Sequence, residues 1–155
     1  MPSERFRRIG VAIDGSPPAQ EALDVAVDLA WRYGSELQIL AIAPIIPVYV
    51  APAEPLVPSA VAESDLPRYQ GLVDAAVARA RSAGVSAVTG VADQGSVVDE
   101  ILALLERHPV DLFVVGSRGL STTKRILLGS VSTALVTHAP CPVLVVRAPP
   151  TKPGG

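Results

Sequence analysis

Five short apolar runs alternate along the chain with four stretches in which apolar residues recur every three to four positions. The first run, Arg8 to Ile13, closes on Asp14-Gly15-Ser16. It predicts a buried strand ending in a turn. Ser16 then offers an oxygen to the free amides of a helix, and Pro17 suits the first helical position. Ala22, Leu23, Ala26, Val27, Leu29 and Ala30 follow at helical spacing, and Gly34 predicts the stop.

Glu36 to Ala43 is the second expected strand. Pro44 to Pro67 carries six prolines in 24 residues. Proline fixes φ and lacks an amide donor, so this stretch reads as a surface excursion or lid, without a regular helix or central strand. Leu72, Val73, Ala76, Val77 and Ala80 mark the next helix, which stops at Gly84, and Val85 to Ala92 is the third strand. Ser96-Val97-Val98-Asp99 resembles a capping box ahead of a helix through Arg107, ended by His108-Pro109. Leu112 to Val115 is the fourth strand, running into Gly116. Val131 to His138 is the last helix, stopped by Pro140. Val143 to Arg147 is the fifth strand, and the Pro- and Gly-rich tail from Ala148 is expected to be disordered.

Strands alternating with helices predict an α/β fold: a single doubly wound domain with a mainly parallel five-stranded sheet and helices on both faces. The expected boundaries are a domain over residues 1–147 and a flexible tail over 148–155. A length of 155 residues suffices for one real core. Aromatic residues are only 4% of the chain, so Ala, Val, Leu and Ile must build that core.

The net charge of −2 offers no bulk field to attract nucleic acid. The apolar stretch Ile39 to Ala53 is too short and too proline-broken to cross a membrane. Met1 to Arg8 lacks the apolar core of a signal peptide. A single cysteine, Cys141, excludes an intramolecular disulfide. A cytoplasmic protein binding neither nucleic acid nor membrane is the expectation.

In doubly wound sheets ligands bind where strands end, so the segment after the fourth strand matters most. It reads Gly116-Ser117-Arg118-Gly119, then nine residues, then Gly129-Ser130-Val131-Ser132. Gly116 and Gly119 would let backbone approach a ligand and adopt positive φ. Gly129 and Ser130 open the last helix, whose free amides and dipole attract a phosphate. Ser130 and Ser132 add hydroxyls, and Arg118, Lys124 and Arg125 add positive charge. Lys124 and Arg125 equally suit a solvated face.

The spacing G-x2-G-x9-G-S resembles the ATP-binding signature of universal stress proteins. The opening Ile9 to Ser16, the stretch Asp111 to Gly119 and the ending Ala139 to Val146 are similar to that family as well. The resemblance implies a Rossmann-like fold of the adenine nucleotide alpha hydrolase type. It implies that ATP is held with Asp14 beside the nucleoside and the backbone around Ile42 bordering the adenine. Gly116, Arg118 and Gly119 would contact ribose and phosphate. Gly129, Ser130, Val131 and Ser132 would wrap the phosphates, with or without Mg²⁺. It also implies a homodimer paired through the last strand, and a stress-response role as a binding or signalling module without dedicated catalytic residues.

Other readings stand beside this one. A slow ATPase or nucleotide hydrolase would use the same charges. A nucleotide-free structural dimer would use the glycines only for turns. AMP or cyclic AMP could take the place of ATP. Asp14 could simply shape its turn. His108 and His138 sit at helix ends, where a cation complements the dipole. Two isolated histidines and one cysteine do not make a metal site. Cys141 reads as a buried structural thiol, and Trp31 and Tyr33 as packing residues.

Overall fold

The computed structural model describes residues 4–45, 65–118 and 128–148. Nine elements alternate in chain order. They are β1 (Arg8–Ala12), α1 (Pro17–Tyr33), β2 (Glu36–Pro44), α2 (Leu66–Ser82), β3 (Val88–Gly95), α3 (Val97–Arg107), β4 (Leu112–Gly116), α4 (Ser130–His138) and β5 (Val143–Val146). The strands form one parallel sheet in the order β3-β2-β1-β4-β5. The fold is therefore the α/β, doubly wound sheet expected from the alternation of patterns.

The central strand β1 pairs on both sides, Ile9 with Leu37 of β2 and with Leu112 of β4. Side chains alternate across the sheet and feed two cores. Ile9, Val11, Ile39 and Val114 pack with α1 and α2 on one face. Leu40, Ile42, Phe113 and Val115 pack with α3 and α4 on the other. Buried on both faces, the inner strands read as continuous apolar runs.

The ends of α1 follow local chemistry. Ser16 caps α1, its oxygen accepting from the Ala19 amide at 3.4 Å, and Gly34 ends the helix at φ +65°. Ser96 takes the cap position of α3, but its side chain makes no capping hydrogen bond. The capping box expected from its spacing is therefore not formed. Asp99 and Glu100 still place negative charge in the first turn, where it complements the helix dipole.

Two boundaries differ from the sequence expectation. Helix α2 begins at Leu66, six residues before the first apolar residue expected in it, and takes Pro67 into its first turn. A proline is tolerated there because its missing amide would have had no partner. Strand β3 runs from Val88 to Gly95, three residues later than expected. Val85 is buried, but its amide bonds back to the Ala80 carbonyl at 3.1 Å and so finishes the turn after α2. The supposed lid falls mostly on residues 46–64, and the supposed tail on 149–155, both outside the described residues.

Packing residues also sort differently from expectation. Tyr33 does pack, its ring 5.3 Å from that of Phe6. Trp31 is 58% exposed and lies instead along the turn at Gly84. Cys141 is only half-buried, and burial pushes its thiol pKa up, with the Asp111 charge adding to the shift. Such a thiol is a poor nucleophile at neutral pH.

Candidate functional site

The strand order reverses direction at β1. One crossover leaves it for β2, while a later one returns past it to β4. Such a switch point opens a crevice beyond the carboxyl ends of the strands. A cavity of about 470 Å³ lies there. Its apolar wall comes from Ile42 and Pro44 of β2, Val97 and Ile101 of α3, and Val115 of β4. This mixture of apolar lining and a few polar groups is typical of small-molecule sites.

Asp14 enters the cavity from the turn after β1. Gly15 holds that turn at φ +85°, a conformation an L side chain rarely adopts. The Ser16 amide donates to Asp14 Oδ1 at 2.9 Å, which fixes the carboxylate. Asp14 thus shapes its turn and lines the cavity at once. It is the one carboxylate among the described lining residues.

The first turn of α4 also lines the cavity, with Gly129 at the cap position in extended backbone. The amides of Ser130, Val131 and Ser132 precede the first intrahelical bond, which runs from Thr133 N to Gly129 O at 3.0 Å. Free amides and the positive end of a helix dipole attract anions. Arg118 lines the same cavity and pairs with no other described residue.

The loop between β4 and α4 is closed at its neck by Ser117. The Ser117 carbonyl accepts from the Gly129 amide at 2.6 Å and from Ser132 Oγ at 3.0 Å. Ser132 Oγ also lies 3.1 Å from Gly129 O. The Ser132 hydroxyl is therefore a clasp for the loop, and the expected hydroxyl donor to a ligand is reduced to its backbone amide. The hydroxyl of Ser130, in contrast, is exposed.

Gly116 lines the cavity without the positive φ expected of it. A Cβ built on it would lie 2.8 Å from Pro18 C and 2.9 Å from Ala19 N, both backbone atoms of α1. The glycine lets the start of α1 press onto the end of β4, and the cavity wall at Ala19 follows from that approach.

Asp14, Ile42, Gly116, Arg118, Gly129, Ser130, Val131 and Ser132 are all brought to one cavity. Gly119, Lys124 and Arg125 lie outside the described residues. Tyr69 of α2 was not legible as a lining residue, although Tyr69, Val73, Ala76 and Ala80 form the buried stripe of that helix. Burial raises the Tyr69 pKa above its ordinary value, and the negative charge of Asp14 raises it further. The phenol therefore keeps its proton at neutral pH.

A larger groove of about 590 Å³ lies at the opposite, amino end of the sheet. Arg81 and Arg107 line it, but both stand in the last turns of helices, where cations complement the dipole. Arg8 there is paired with Glu36 at 3.4 Å. Helix carboxyl ends disfavour an anion.

The model of the universal stress protein family matches residues 5–147. The chain belongs to the universal stress protein family. Universal stress protein YxiE of Bacillus subtilis is 37% identical over 148 residues, spanning 92% of this chain and 99% of that protein. The solved structure of universal stress protein UspA from Lactobacillus plantarum is similar with a TM-score of 0.68 and 28% identity, covering 94% of this chain and all of that one. A universal stress protein solved in complex with cAMP is similar with a TM-score of 0.67 and 27% identity, covering 93% and 98% of the two chains.

In this universal stress protein no helix among the described residues is long and apolar enough to cross a membrane. No group of three or more His, Cys, Asp or Glu among the described residues could hold a metal ion.

Proposed function

We propose that this universal stress protein binds an adenine nucleotide, ATP foremost, and works as a nucleotide-dependent binding or signalling module in the cytoplasm. One observation carries the reading. The unbonded amides at the start of α4 and the guanidinium of Arg118 share a cavity with Asp14 and an apolar wall. That arrangement suits a ligand with an anionic end and a flat apolar end bearing hydrogen-bonding groups. The cAMP complex of a 27% identical relative supports an adenine nucleotide as that ligand. ATP over AMP or cAMP rests on the number of donors available to phosphate.

A homodimer completes the proposal. β5 is an edge strand of the sheet, and Leu144 on it and Val136 on α4 are exposed. An apolar edge strand is a template for pairing with a second copy.

Calorimetric titration with ATP, ADP, AMP, cAMP, GTP and adenosine, with and without Mg²⁺, tests the nucleotide reading. Arg118→Ala removes a charge-assisted hydrogen bond, so ATP affinity is expected to fall about tenfold or more. Adenosine, which carries no phosphate, should bind the variant as it binds the parent. An equal loss for both ligands would contradict the assignment of Arg118 to the phosphate end.

A further inference from the structure

Among the cavity's side chains Tyr69 stands apart. It is 5% exposed, yet it belongs to the cavity lining. Its hydroxyl makes no hydrogen bond to another described residue, and no fully enclosed side-chain oxygen or nitrogen lacks a partner. The hydroxyl is therefore open to the cavity while its ring is packed in the core with Val73 and Ala76. An unpartnered hydroxyl that opens into a cavity is available to hydrogen-bond water or a ligand there.

The placement of the ring is fixed. Tyr69 sits in the first turn of α2, with Arg68 5.7 Å over its ring and Leu72 and Arg68 lying along the Gly15 turn. The α2 start thus bears on the turn that holds Asp14. Tyr69 belongs to the core on the α1/α2 face of the sheet and α4 to the core on the other face, and the Asp14 charge acts on the phenol. The carboxylate of Asp14 is an acceptor, with Oδ1 already taken by Ser16 N. The phenol is protonated.

We propose that Tyr69 is a specificity-determining residue, its hydroxyl hydrogen-bonding the nucleoside part of the ligand and leaving the phosphates to Arg118 and α4. This rests on the nucleotide reading above. A site with a buried group built for a hydrogen bond rejects ligands that cannot supply the partner. The phenol therefore separates a nucleotide from a bare polyphosphate, which the amides of α4 and Arg118 alone would bind. The acceptor is either a ring nitrogen of the base or a sugar oxygen.

Tyr69→Phe keeps the ring and deletes only the hydroxyl. Since that hydroxyl has no partner among the described residues, the ligand-free melting temperature should stay where it is. ATP affinity should fall about threefold to tenfold, the range for one neutral hydrogen bond. Tripolyphosphate affinity should not change. 2′-Deoxy-ATP locates the acceptor: sensitivity to Tyr69→Phe retained places it on the base or another sugar oxygen, and sensitivity lost places it on the 2′-hydroxyl. Parent and variant binding ATP equally would overturn the proposal, as would an equal loss for tripolyphosphate. A parent protein that binds no nucleotide would instead remove the reading on which the proposal rests.

Discussion

Phe113→Ala is expected to destabilise the fold by about 3–5 kcal/mol, the usual cost of emptying a buried phenylalanine site. Phe113 is fully buried in β4, one strand from the centre of the sheet. Its ring lies over Gly10 of β1, where a Cβ would come within 2.8 Å. That glycine has no side chain to lean into the space, so the cavity collapses poorly. The melting temperature should fall by roughly 6–20 °C for a chain of this size. Denaturant titration checks it, and a loss below about 1 kcal/mol would mean that neighbours refill the site. Adding Gly10→Ala to Phe113→Ala should cost less than the two changes summed, because the new methyl enters the vacated space.

Gly116→Ala is the second large effect, and it bears on how the site is understood. The added Cβ meets backbone atoms of Pro18 and Ala19, which cannot rotate away. Overpacking of this kind costs about 1–3 kcal/mol. The start of α1 must move, and Ala19 with it, so the cavity changes shape before any ligand arrives. The expected result is a less stable ligand-free protein together with weaker ATP binding. Ligand-free stability identical to the parent would show that Gly116 is not held by α1. Lost binding in this variant is therefore not by itself evidence of a missing phosphate contact.

The sequence made the order of elements legible because the inner strands are unbroken apolar runs and the helices keep their spacing. β1 and β4 show this most plainly, since tertiary contacts bury both faces of each. The bounds of β3 are not legible in its own pattern because it lies at the edge of the sheet. Its length is set by pairing with β2, from Leu37 with Val88 to Pro44 with Gly95, and so it takes in the polar Asp93 and Gln94. No local pattern carries that information. The start of α2 was hidden because Pro67, Arg68 and Gln70 look like loop, although Tyr69 already belongs to the buried stripe of the helix.

The candidate site was legible to the same degree. The glycine spacing placed Gly116, Arg118, Gly129, Ser130, Val131 and Ser132 around one cavity. It could not reveal which of them serve the fold. Gly116 accommodates α1, and the Ser132 hydroxyl clasps the loop through Ser117. Both are long-range facts: residue types suited to a phosphate loop are also those suited to close backbone approach. Tyr69 and Asp14, 55 positions apart in the chain, line one cavity only because the α2 start bears on the β1 turn.

An adenine nucleotide in the carboxyl-end cavity is the proposed ligand. Thermal unfolding of the purified protein tests it most directly, run with ATP, ADP, AMP, cAMP and GTP after denaturing one aliquot to release any nucleotide carried through purification. A ligand at 100 times its Kd stabilises by about 2.7 kcal/mol. The predicted result is a rise of roughly 5–10 °C in melting temperature with ATP, blunted in Arg118→Ala. No shift with any adenine nucleotide, and none released on denaturation, would contradict the account and leave the glycine loop as architecture alone.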